Sequence, residues 1–412
     1  MKKLLQTALI ALMLSPVGSW AQDFDEGWEA YEGGDYATAF EQWLPLAEEG
    51  DSAAQYNLGI LYRDGYGIPK DSAEAAKWFR MAAEQGIAAA QYNLGVLYER
   101  GDGMPQNYAE AVRWFRMAAE KGEPDAQFNL GVMYARGRGV SQDHAEAVSW
   151  YRKAAEEGHA YAQNNLGQMY ENGDGVPTDE VEAVRWYQRA AKLGDPAAQF
   201  NLGVMLAAGR GVPQDDAEAV KWYRMAAIQG LAEAQLQLGN AFRYGKGAPQ
   251  NDAEAASWYL RAAEQGDPEA QFALAFMHAI GTGVPQDDVE AVKWYRKAAE
   301  QGNAGAQFDL GIMYAIGRGV PQDDVEAVKW YRKAAEQGNA EAQFNLGVMY
   351  AMSRGVPKNY AAAFMWWTIA ASEGVENAAE YRDSVAEYMT AEDLSKAQAM
   401  VRECLANIYE GC

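Results

Sequence analysis

The stretch AQYNLGVLYERGDGMPQNYAEAVRWFRMAAEKG, residues 90–122, recurs along the chain with a fixed period and decides the fold. Trp78, Trp114, Trp150, Trp186, Trp222, Trp258, Trp294, Trp330 and Trp366 are each 36 residues apart. Gln55, Gln91, Gln127, Gln163, Gln199, Gln235, Gln271, Gln307 and Gln343 keep the same interval. The frame runs over residues 51–374 as nine copies, with no insertion or deletion. A period of this size means stacked supersecondary units, not several independent globules.

Each copy reads as two helices. Ala54, Leu58, Leu61 and Tyr62 fall at i, i+4, i+7 and i+8, an apolar stripe of helical period. Gly65-Tyr66-Gly67 breaks it, and Pro69 follows. Asp71 precedes Glu74 by three, a capping box for a second helix that buries Ala75, Trp78, Phe79, Ala82 and Ala83 and ends at Gly86. Alanine recurs in all nine copies at the positions of Ala75, Ala82 and Ala83, because facing helices approach closely only where side chains are small. Gly59 serves the same end in the first helix, and Ala275 alone departs from glycine in that column. The tryptophans, set among these alanines, are expected in the core, with a loss of at least about 3 kcal/mol for Trp222→Ala. The fold class is all-α, an α-solenoid of 36-residue helix-turn-helix repeats.

The flanks differ. Met1-Lys2-Lys3, an apolar run from Leu4 to Leu14, and Ser19-Trp20-Ala21 follow the plan of a secretory leader, residues 1–21, cleaved after Ala21. Residues 22–50 read as a degenerate N-terminal capping repeat, with Asp35, Ala39, Ala47 and Gly50 in frame. Residues 375–412 read as C-terminal capping helices, the last starting at Thr390 with Asp393 and running to about Ile408. No Cys lies near the cleavage point, and no later stretch reads as membrane-spanning. The expected location is the periplasm or the outside of the cell, without a lipid anchor.

Lys and Arg number 35 against 58 Asp and Glu, a net charge of −23 over 412 residues. Such a chain repels phosphate backbones and anionic lipid, so nucleic acid and membrane insertion are not expected. Cys404 and Cys412 are the only cysteines. In a continuous helix they would sit about 12 Å apart, too far to bridge. Pairing requires the chain to turn back after Ile408, which Gly411 permits, and both disulfide and free thiols stay open.

Residues 90–122 resemble the consensus of the Sel-one-like repeats, relatives of the tetratricopeptide repeats. The resemblance implies a right-handed superhelix that presents a concave groove to protein partners, in adaptors and scaffolds. Secreted bacterial members are associated with envelope assembly, signalling or host-protein binding. A cysteine-rich branch is associated with penicillin binding and weak β-lactam hydrolysis, but it carries cysteine pairs in nearly every repeat, and this chain has none there.

Catalytic signatures are missing. No Ser is followed by Lys at the spacing of a serine acylase, and neither Lys-Thr-Gly nor Gly-x-Ser-x-Gly occurs. His144, His159 and His278 occupy different frame positions and form no metal pair. In the Asp pairs such as Asp215-Asp216, the first caps and the second adds negative charge at a helix N-terminus; they lack an EF-hand's ligand spacing. No catalytic residue, metal or cofactor is expected.

Packing positions must repeat, whereas positions facing a unique ligand are free to vary. The columns of residues 57, 60 and 64 lie opposite Leu58 and Tyr62 and are expected to line the inner surface. The first reads Asn57, Asn93, Asn129, Asn165, Asn201, Gln237, Ala273, Asp309 and Asn345; its amides could pair with an extended peptide backbone, or with backbone inside the repeat design. The middle repeats vary most, at Asn164, Gln168, Leu236, Asn240, Tyr244, Phe276 and Ile280, and Ile280, Ile316 and Met352 form an apolar series in one column. The expected partner is a protein or extended peptide held by a monomer. Rival expectations are a β-lactam or cell-wall hydrolase and an architectural envelope component.

Overall fold

The computed structural model describes residues 17–409 and 411–412. Residues 1–16 of the expected leader lie outside the described residues. Twenty-two helices and no strand are present among the described residues. Two compact bodies divide them: one extends to Ala198 and takes in Arg210–Val212, the other comprises Gln199–Gly209 and Pro213–Cys412.

Within each body the paired helices repeat as the sequence implies. The second helices start on an Asp or Asn cap: Asp71 accepts from the backbone N–H of Ala73 and Glu74, Asn251 from Glu254. The first helices end on a left-handed residue, Gly65 at φ 75° for example. Only at residue 353 does a side chain occupy that position, as Ser353 at φ 58°.

One hairpin cannot bury its own apolar face, and the core clusters show how stacking solves this. Ala147, Val148, Tyr151, Ala154 and Ala155 of one second helix pack with Ala162, Leu166 and Met169 of the next first helix, and with Trp186 of the next second helix. The small first-helix residue makes room for a ring: a Cβ on Gly167 would lie 2.7 Å from Tyr187 Cδ1. The buried Gln column ties the layers by hydrogen bonds, as where Gln163 Nε2 donates to Ala155 O at 2.9 Å.

The expectation for the tryptophans needs correction. Trp114, Trp150, Trp186, Trp294, Trp330 and Trp366 are buried, but Trp78, Trp222 and Trp258 are only half-buried. Of these half-buried indoles, Trp258 is covered by a cation, with Arg261 5.0 Å from its ring centroid. Truncating Trp222 therefore exposes or empties less than a fully buried ring would.

The second acid of each Asp pair does more than adjust a helix dipole. Asp288 pairs with Arg318 at 2.7 Å and Asp324 with Arg354 at 2.6 Å, each cation lying in a loop thirty residues on. In the first body Arg210 makes the same contact with Glu180 at 2.8 Å. The glycine after each loop cation closes the contact: at φ 65°, a Cβ on Gly211 would lie 2.2 Å from the Glu180 carbonyl oxygen.

At the N-terminal end the helices Val17–Glu32 and Tyr36–Glu48 pair, with Asp35 capping the second and Ala39, Trp43 and Ala47 buried. At the other end the helices are Ala378–Ala386 and Ala391–Ala406, the latter capped by Thr390. Ile408 and Tyr409 take left-handed backbone angles and turn the chain back. Cys404 and Cys412 are joined as a disulfide across that turn, with Cα atoms 5.5 Å apart. Tyr409 then donates to Glu373 Oε1 at 2.9 Å, which holds the tail on the last repeat.

Candidate partner-binding groove

In the second body the helix Ala232–Tyr244 buries Ala234, Leu238, Ala241 and Phe242 and turns Leu236, Gln237, Asn240, Arg243 and Tyr244 the other way. The helix Pro268–Ile280, capped by Asp267, turns Glu269, Phe272, Ala273 and Phe276 toward the same space. Tyr259, from the helix Asp252–Glu264 and fully buried, completes an open groove of about 480 Å³.

This groove brings together five residues singled out from the sequence, Leu236, Gln237, Asn240, Tyr244 and Phe276. A second groove of about 270 Å³ in the first body contains Asn165 and Gln168, beside Arg136, His144 and Asp174. Ile280 and Ile316 line neither; they stand 50% and 61% exposed at helix ends, in the same column as Tyr244 and Met352.

Much of the Asn column is engaged inside the repeats. Seven repeats pack two tilted rings, one per helix (Asn164 and Leu236 replace the first ring in the other two), and most of these pairs carry a single hydroxyl: Tyr56 on Phe79, Tyr92 on Phe115, Phe128 on Tyr151, Phe308 on Tyr331. That hydroxyl interacts with the amide of the following repeat, Tyr56 with Asn93, Tyr92 with Asn129, Tyr151 with Asn165 and Tyr331 with Asn345. Burial raises the pKa of each of these phenols, Tyr331 to about 12. Asn57 is itself buried, at 7% exposure, and Asn201 also has a partner. At Asp309 the amide is replaced by a carboxyl beside the Tyr295 hydroxyl, and burial raises the pKa of both groups.

The groove opens where this pattern fails. Ala273 has no amide to offer Tyr259, so the hydroxyl donates instead to Asn240 Oδ1 of its own repeat at 2.7 Å. The missing side chain leaves the space between the two first helices. Arg243, Tyr259, Phe272 and Glu269 were not singled out from the sequence. The signal available for them was the single alanine at position 273 in a column of polar residues.

Nine consecutive copies of the Sel1 repeat match the chain, at residues 52–87, 88–123, 124–159, 160–195, 196–231, 232–267, 268–303, 304–339 and 340–375. The chain belongs to the Sel1 repeat family. Among solved structures, a protective antigen present in uropathogenic Escherichia coli strains, which displays an SLR fold, is 32% identical. The alignment covers 95% of this chain and 92% of that one, with a TM-score of 0.62. A Sel1 repeat protein from Oxalobacter formigenes is 38% identical over 75% of this chain and 90% of its own, with a TM-score of 0.60. No curated protein sequence matches the chain. Sel1 repeat solenoids are generally non-enzymatic scaffolds for protein interaction, and the present chain is a Sel1 scaffold of that architecture.

Proposed function

We propose that this Sel1 repeat protein is an exported scaffold, periplasmic or secreted, that holds an extended segment of a partner protein in the groove of its second body. The observation that carries the proposal is the groove beside Ala273, where the repeated amide is missing and Gln237, Asn240, Tyr244 and Phe276 converge. An extended chain there would meet amide donors and acceptors from Gln237 and Asn240, and apolar surface from Phe276 and Tyr244. The leader-like residues 1–21 support export. So does the likeness to a protein described as a protective antigen.

Photocrosslinking in the cell of origin tests this. A benzoylphenylalanine at position 237 or 276 should trap one dominant partner in the exported fraction, and the same group at the outward-facing position 293 should not. Recovery of the chain in the cytoplasm with residues 1–21 retained, or equal trapping at all three positions, would overturn it.

A further inference from the structure

The groove contains a cation that forms no ion pair among the described residues. Arg243 Nη1 is buried and has no hydrogen-bond partner among the described residues. Its guanidinium lies 5.7 Å from the Tyr244 ring centroid and 5.2 Å from that of Phe276. The equivalent residue of the first repeat shows what is missing. Arg63 donates to both carboxylate oxygens of Asp64, at 2.8 and 2.7 Å, and to Asn93 Oδ1 at 2.7 Å. Those acceptors lie one and thirty residues further along the chain. For Arg243 the same two places are Tyr244 and Ala273, which accept nothing there. Glu269 also lines the groove; its Oε1 accepts from Asn303 Nδ2 at 2.8 Å, and it forms no ion pair with Arg243.

A planar guanidinium among aromatic rings, stripped of its acceptors beside open space, matches a carboxylate in shape and charge. We infer that the groove selects an extended peptide segment by one Asp or Glu side chain, received by Arg243, with an adjacent apolar side chain against Phe272 and Phe276. Because the groove is open, an extended chain can pass through it and present the carboxylate from an internal residue. The high negative charge of the whole protein favours a segment that is otherwise neutral or basic. The inference rests on the scaffold reading above and specifies its ligand.

The test is to pan a random displayed peptide library against the full chain and resynthesise the selected peptides with amidated C-termini. The selected sequences should share an acid next to an apolar residue, and changing that acid to its amide should weaken binding about tenfold. Arg243→Gln should abolish the difference between acid and amide peptides, with Arg243→Lys retaining part of it. Ala273→Asn, which restores the amide found in other repeats, should weaken every selected peptide while the melting temperature of the protein is held or raised. Groove-bound peptides with no fixed acid, an acid preference unchanged in Arg243→Gln, or binding only of free C-termini would overturn the inference and leave the scaffold reading standing. Enrichment no better than on an unrelated protein would remove both.

Discussion

Gln265 Nε2 donates to Gln235 Oε1 at 2.8 Å, and Gln235 Nε2 donates in turn to the Ala227 carbonyl at 3.1 Å. Gln235 thus accepts a hydrogen bond from the end of the second helix of its own repeat and donates one to the helix before it. The relay recurs where both residues are Gln, as in Gln55–Gln85, Gln271–Gln301 and Gln307–Gln337. Where the later residue is Lys121, Glu157, Leu193 or Glu373, the Oε1 of Gln91, Gln127, Gln163 or Gln343 is buried without a partner.

That rule yields a stabilising substitution. Glu157→Gln should supply the missing donor to Gln127 and remove a charge that, after burial and Asp125, raises the pKa of Glu123. The expected gain is about 1 kcal/mol, read as a higher urea midpoint with unchanged slope. An unchanged midpoint would show that the orphan acceptor carries no penalty.

Ser353→Gly should also stabilise. The residue ends a helix at φ 58°, where its eight counterparts are glycine, and an L-residue there costs roughly 1–2 kcal/mol. Its hydroxyl recovers little, reaching the Val356 carbonyl only at 3.4 Å. Thermal unfolding of the variant should begin at a higher temperature.

Asp309 should make stability depend on pH. Burial raises its folded pKa, so the folded chain holds a proton that the unfolded chain has released above about pH 3.9. The stabilising effect of that proton is complete below the unfolded value and is lost as pH rises through the folded one. Asp309→Asn, which installs the amide used elsewhere, should therefore raise the denaturation midpoint at pH 7 and leave it nearly unchanged below about pH 4. Equal effects at both pH values would contradict the assignment.

The two classes of tryptophan separate by mutation. Trp186→Ala removes a buried ring from a closed cluster and should cost about 3–5 kcal/mol. Trp222→Ala, from a half-buried site, should cost clearly less. Denaturant midpoints of the two variants measured side by side would check the order.

The 36-residue interval, the Asp71 and Asn251 caps, the glycine stops and the three alanine columns were all legible without coordinates, because each follows from helix period or cap chemistry within a single repeat. Gln237, Asn240, Tyr244 and Phe276 were legible too, as departures from an otherwise regular frame. The roles of the Asn column and of the second Asp in each pair were not. Asn93 meets Tyr56, and Asp324 meets Arg354, across a boundary between repeats. Periodicity states that such residues recur and does not say which of them touch.

The chain alone thus determined what each hairpin is and that its apolar face must be covered by the next, since both depend on local backbone preference and on hydrophobic area. Stacking alone decided which side chains stand thirty residues apart in sequence and in contact in space. Arg63 finds Asn93 by that register, Arg243 finds Ala273, and only the second pair leaves a charge and a cavity to be filled.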